Sequence, residues 1–239
     1  MKLIVAMTGA TGAPIGVRLL EALRDLEVET HLVVSRWARA TLAQETRRSV
    51  REVQALATVC HSPGDQGASI SSGSFRVDGL VVVPCSMKTL ASIRTGYGEG
   101  LIGRTADVLL KERRRLVLVA RETPLSAVHL ENMLELTRMG AVIMPPVPAF
   151  YNQPETIDDI VEYLVARILD QFDLDMPTAK RWQGMQAARR DSAVHPEGRT
   201  EHGPAVRVAE TDGAPDGPAS HPADHDPHVT SARWVATAS

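Results

Sequence analysis

The chain has 239 residues, 23% charged and 44% hydrophobic, with a formal net charge of −3. That balance excludes a basic nucleic-acid binder, and no apolar run approaches the ~20 residues that span a bilayer. Two cysteines, Cys60 and Cys85, give neither a disulfide framework nor a metal-ligand spacing, so a reducing, cytoplasmic setting is expected.

The chain opens on an apolar strand over 2–8, without the charged region and cleavage site of a signal peptide. The strand runs into Thr8-Gly-Ala-Thr-Gly12 and then a helix over 14–26 that can begin at Pro14. Gly9 and Gly12 permit close backbone approach, Thr11 adds a hydroxyl, and a helix N-terminus adds unpaired N–H groups. Together they predict a phosphate cradle. A strand over 28–35 follows, ending on Ser35, with helices over 36–45 and 49–56. Residues 61–75 form a hydroxyl-rich loop, read as a substrate lid or lining.

A third strand over 79–84 leads into Cys85-Ser-Met-Lys-Thr89 and helices over 86–94 and 99–113. The basic run Lys111–Arg115 reads as a solvated helix end before a strand over 115–120. Arg121 and Glu122 close that strand as a candidate ion pair. A helix over 126–138, a strand over 140–144, the proline-rich segment Pro145–Tyr151 and a helix over 156–171 complete the pattern. Continuous apolar strands such as Leu80–Pro84 and Leu116–Ala120 belong to a parallel sheet covered on both faces. The fold class is therefore α/β: a flavodoxin-like or Rossmann-like doubly wound parallel sheet in three α/β/α layers.

One domain is expected over 1–190, large enough for a substantial core. Residues 191–239 are rich in Pro, Gly, Asp and His and poor in large apolar residues, so they read as a disordered tail. His221, His225 and His228 lie there as solvated residues rather than a metal site. Asp158 and Asp159 suit the dipole at a helix start, and no metal is expected.

Ligands of doubly wound sheets sit beyond the carboxyl ends of the strands. Those ends here carry Gly9, Ala10, Thr11, Ser35, Ser86, Lys88, Thr89, Arg121 and Tyr151. Thr8–Gly12 also resembles the start of NAD(P)-binding short-chain dehydrogenases. Against that, the second strand ends in Ser35-Arg36 with no ribose-binding acid, and Tyr163 is followed by Arg167 rather than Lys. A mononucleotide is favoured. With aromatics at only 4%, a flavin would be held by backbone and aliphatic groups, with Trp182 as the rare aromatic candidate.

Over roughly residues 1–185 the chain resembles the UbiX-type flavin prenyltransferases, in the branch associated with non-oxidative hydroxyarylic (phenolic) acid decarboxylases. The motifs that carry this are Thr8–Gly12, Ser69-Ile-Ser-Ser-Gly-Ser74, Pro84–Leu90, Arg104–Glu112, Leu116–Pro124, His129-Leu-Glu-Asn-Met133 and Gly140–Tyr151. The resemblance implies FMN as cofactor and acceptor, dimethylallyl monophosphate as donor, and new bonds at flavin N5 and C6. It implies a homo-oligomer, generally a dodecamer, that hands prenylated FMN to a UbiD-type decarboxylase. Carried over by position, Gly9, Ala10, Thr11, Ser35, Ser86, Met87, Lys88, Thr89 and Arg121 contact FMN. Tyr151, Arg167, Lys111, Arg104 and Trp182 serve the donor, and Glu45, Glu122, Ser72 and Lys111 are catalytic. Many members have Ser where this chain has Thr11.

Two other readings share the fold. An FMN-dependent cysteine decarboxylase uses a His in the segment filled here by Ala40–Glu45. An accessory protein that only binds FMN has no need of Lys111, Glu122, Tyr151 and Arg167.

Overall fold

A computed structural model describes residues 1–179, 181 and 182. The expectations for residues 191–239 lie outside the described residues. The elements are β1 (Lys2–Met7), α1 (Ala13–Asp25), β2 (Glu29–Val34), α2 (Arg36–Glu45), α3 (Val50–Gln54) and β3 (Val59–His61). After a 3-10 turn at Ser69–Ser71 come β4 (Gly79–Cys85), α4 (Met87–Thr95), α5 (Gly100–Lys111) and β5 (Arg115–Ala120). Then follow α6 (Ala127–Arg138), β6 (Val142–Ile143) and α7 (Ile157–Leu169).

All strands are parallel in one six-stranded sheet, ordered β3-β2-β1-β4-β5-β6. The strand Val59–His61 is not among the expected elements. It is three residues long on the sheet edge and too short for a periodicity signal. With it the order is that of a Rossmann sheet; without it the remaining strands follow the flavodoxin order. In both, the direction of winding reverses at the β1/β4 boundary.

Strand side chains alternate between two cores. Leu3, Val5, Met7, Val81, Val83, Val117 and Val119 face α1, α2 and α7. Ile4, Ala6, Leu80, Val82, Leu116 and Leu118 face α4, α5 and α6. Each such fully buried Leu, Ile or Val contributes about 1.5–3 kcal/mol relative to exposure. Both faces of β1 and β4 are consumed by packing, which leaves chemistry to the turns beyond their carboxyl ends.

The β1/β4 boundary is stapled by Thr8, which is buried. Its hydroxyl donates to the Pro84 carbonyl at 2.7 Å and accepts from the Ser86 N–H at 2.8 Å. Pro84 has no N–H for the ladder, and the β4–β5 register shifts between Val82 and Cys85. Helix α1 presses against β4 at Gly16, where an added Cβ would lie 2.8 Å from the Val83 carbonyl oxygen.

Candidate active site

A cleft of about 750 Å³ opens at the switch point. Thr8 and Gly9 from the end of β1, Ser35, Arg36 and Trp37 from the start of α2, and Ser86, Lys88 and Thr89 from the start of α4 line it. The far lip comes from Thr95, Tyr97 and Glu99 and the first turn of α5. Two helix N-termini thus meet there. Ser35 caps α2 by accepting from the Ala38 N–H at 3.1 Å. Ser86 caps α4, accepting from the Thr89 N–H at 3.4 Å with the Thr89 hydroxyl 3.1 Å away. Arg36 and Lys88 add positive charge, and neither forms an ion pair among the described residues. Hydroxyls, dipole ends and two cations suit a phosphate.

The turn after β1 behaves differently from the expected cradle. Gly12, at φ +112°, ends it in the left-handed region that favours glycine. The N–H groups of Gly12 and Ala13 donate to one Glu45 carboxylate oxygen at 2.8 and 2.9 Å. The chain's own carboxylate occupies the anion position at the α1 N-terminus. Gly9 answers to another neighbour: a Cβ there would lie 2.3 Å from Trp37 Cβ. Its missing side chain makes room for α2.

Of the residues assigned to FMN by resemblance, Gly9, Ser35, Ser86, Lys88 and Thr89 line the cleft. Ala10, Thr11, Met87 and Arg121 do not line it; the Met87 side chain is in the core below α4. The Arg121 N–H extends the ladder to the Cys85 carbonyl at 3.1 Å. Arg121 and Glu122 do not form the surface ion pair that their adjacency allows: the Glu122 carboxylate turns back to accept from the Thr123 N–H at 3.1 Å.

Arg104, Lys111 and Ser72 are brought together along α5, but away from this cleft. Arg104 donates to the Ser71 carbonyl at 3.2 Å and pairs with Asp107 at 2.8 Å. Lys111 pairs with Glu112, and Gly73 packs beside both. The Ser72 hydroxyl lies 2.9 Å from that of Ser74. The basic run is more than a solvated helix end. Arg114 donates to the Phe75 and Gly73 carbonyls at 2.7 and 2.8 Å and pins the serine loop.

A second cleft, about 290 Å³, lies between β6 and α7. Val142, Ile143, Met144, Pro145, Val147 and Leu164 line it on one side, and Tyr163, Arg167 and Gln171 give it as much polar as apolar surface. Arg167 pairs with Asp170 at 2.5 Å, and Arg181 holds the same carboxylate at 2.8 Å. The Tyr151 hydroxyl lies 2.9 Å from that of Tyr163, and Trp182 packs edge-on against Tyr151 with centroids 5.3 Å apart. That hydrogen bond is the main reason the Tyr163 phenol is raised above its usual range. Trp182 therefore packs with Tyr151 and lines neither cleft. The aromatics of the first cleft are Trp37 and Tyr97, which no sequence motif singles out. Neither belongs to an apolar periodicity, so their one signal is position just past a strand or a helix. Tyr163 carries no signal of its own because its helix face also carries core residues.

Comparison with known proteins identifies the class first. Residues 1–169 match the flavoprotein family, and the chain belongs to it. Within that family it belongs to the UbiX-like flavin prenyltransferases. It is 72% identical over 190 residues to a probable UbiX-like flavin prenyltransferase of Streptomyces sp. (strain D7), covering 79% of this chain and 95% of that one. A dodecameric FMN-dependent UbiX-like decarboxylase from Escherichia coli O157:H7 superposes with a TM-score of 0.76 at 66% identity, covering 77% of this chain and all of that one. AnUbiX (PadA1), crystallised with FMN and dimethylallyl pyrophosphate, gives a TM-score of 0.76 at 61% identity, covering 77% of this chain and 97% of that one.

Proposed function

We propose that the protein is a flavin prenyltransferase that moves a dimethylallyl group from its phosphate ester onto reduced FMN. The observation that carries this is the mononucleotide-sized cleft at the switch point, with its hydroxyls, helix ends and two cations, in a chain 61% identical to a protein crystallised with FMN and a dimethylallyl donor. Ser35, Ser86, Thr89, Arg36 and Lys88 fit the phosphate and ribityl oxygens of FMN. When bound, the reduced flavin supplies nucleophilic N5 and C6.

The second cleft is assigned to the donor: Val142, Ile143, Met144, Val147 and Leu164 for a branched five-carbon chain and Arg167 for its phosphate. Breaking the allylic C–O bond leaves the electron pair on phosphate oxygen. Arg167, Lys111 and Arg104 stabilise that charge, the Tyr151 hydroxyl donates to it, and Glu122 returns a proton. Glu45 is the second acidic group, oriented by the α1 N-terminus, and Ser72 belongs to the loop that covers the reacting carbons.

The two clefts share no lining residue; on this reading neighbouring protomers bring them to one site. A homo-oligomer follows, a dodecamer on the precedent of the relative from Escherichia coli O157:H7. Prenylated FMN then leaves for a UbiD-type decarboxylase. A reducing cytoplasmic setting belongs to the same reading; no helix among the described residues is long and apolar enough to cross a membrane.

The test is anaerobic incubation of the full-length chain with reduced FMN and, in separate arms, dimethylallyl monophosphate and dimethylallyl pyrophosphate. Mass spectrometry should find flavin heavier by one prenyl-derived unit, with the monophosphate as the faster donor. Bound flavin of unchanged mass in both arms overturns the transfer and leaves an accessory protein that only binds FMN.

A further inference from the structure

We infer that Trp37 is a binding residue for FMN, presenting its indole to the flat isoalloxazine ring. The inference rests on the FMN reading above. Trp37 is the second residue of α2, directly after the Ser35 cap and Arg36, and it lines the switch-point cleft. The side chain is 71% exposed, far more than a tryptophan serving the core.

Its base is nevertheless fixed. The main-chain carbon and Cβ of Trp37 sit 3.3 and 2.3 Å from where a Gly9 Cβ would be, so the start of α2 rests directly on the turn after β1. An exposed indole on an immobile stem loses little conformational freedom when a ligand covers it.

The rest of the lining sorts by chemistry: Pro63, Ala91, Leu101 and Ile102 add aliphatic surface, and most of the remainder is polar. Ser35, Ser86, Thr89, Arg36 and Lys88 offer hydroxyls and charge, which match phosphate and ribityl groups. They offer no flat apolar surface to a tricyclic ring. Trp37 and Tyr97 do, and Tyr97 is also exposed, at 62%. Trp37 follows β2, the neighbour of β1, whereas Tyr97 lies beyond the far end of α4 on the opposite lip of the cleft. Of the two, Trp37 has the larger face and the anchored base. Indole and isoalloxazine favour offset stacking over a perfect face-to-face sandwich.

The experiment titrates FMN into the full-length chain, Trp37→Ala and Trp37→Phe, following flavin and indole fluorescence together. Light scattering and thermal melting without FMN are recorded in parallel. Trp37→Ala should weaken FMN binding about tenfold, equivalent to ~1.4 kcal/mol, with assembly and melting unchanged. Trp37→Phe, which keeps a flat ring, should stay within about threefold. FMN affinity of Trp37→Ala within about twofold of the unaltered chain overturns the inference. So does loss of assembly at unchanged FMN affinity, which would make Trp37 a contact between protomers. Failure of the unaltered chain to take up FMN overturns the FMN reading itself, and this inference with it.

Discussion

The two clefts are built on different plans. The one at the switch point is assembled from the turns after β1, β2 and β4 and is rich in hydroxyls and helix ends. The one between β6 and α7 is smaller, sets aliphatic side chains beside Tyr163 and Gln171, and has one cation, Arg167, tied to Asp170. On the reading proposed above, the first takes the nucleotide and the second a short branched hydrocarbon with an anionic end. The physical lesson is that sheet topology alone creates the nucleotide site, because parallel strands end together and helices begin there. The donor side has no such topological guarantee and depends on packing of the C-terminal segment.

The difference can be broken most sharply at Arg167. Arg167→Ala should leave FMN affinity near normal while donor capture weakens by about 2–4 kcal/mol, the cost of losing a charge-assisted contact. Arg167→Lys should recover only part, since it lacks the planar fork. Prenylation rate against donor concentration, beside an FMN titration, reads both. Loss of FMN binding with unchanged donor dependence would assign Arg167 a structural role.

Gly9 probes the nucleotide side. An added Cβ meets Trp37 Cβ at 2.3 Å, a stem atom of a helix rather than the end of a flexible chain. Gly9→Ala should lower stability by about 1–3 kcal/mol and weaken FMN binding, with donor dependence unchanged. Chemical denaturation and FMN titration measure the two effects.

A somewhat smaller loss is expected at Glu45. Glu45→Ala leaves the Gly12 and Ala13 N–H groups without their carboxylate and should cost about 1 kcal/mol of stability. A phosphate or sulfate ion should then stabilise this variant more than the unaltered chain, because the helix end becomes available to anions. Equal stabilisation by sulfate in both proteins would count against that account.

The smallest effect concerns the link between the two regions. Arg18 on α1 grips Glu162 on α7 through two hydrogen bonds of 2.7 and 2.9 Å. The Arg18 guanidinium, with help from Thr178, holds the Glu162 carboxyl below its usual range. A folded-state value below the unfolded one means the stabilisation is present above about pH 4.5 and is lost as pH falls through the folded value. Glu162→Gln should therefore flatten the acid side of the melting profile, by less than about 1 kcal/mol for a partly exposed pair. A profile as steep as that of the unaltered chain would place the acid sensitivity elsewhere.

The sequence by itself determined the α/β class and the order of its main elements, because apolar runs over 2–8, 79–84 and 115–120 can be satisfied only inside a two-sided parallel sheet. It also determined that Ser35, Ser86, Lys88 and Thr89 reach a common cleft, since each closely follows a strand. Tertiary structure alone decided what fills the glycine turn. Glu45 arrives at the α1 N-terminus from the far end of α2, more than 30 residues away in the chain, and no local pattern encodes that meeting. The same holds for Trp37 on Gly9, for Arg114 holding the serine loop, and for Trp182 joining Tyr151 instead of the flavin side. Periodicity and turn chemistry act over a few residues and fix which elements form. Contacts between elements are set by how sheet and helices pack, which is where the polar groups of this site find their partners.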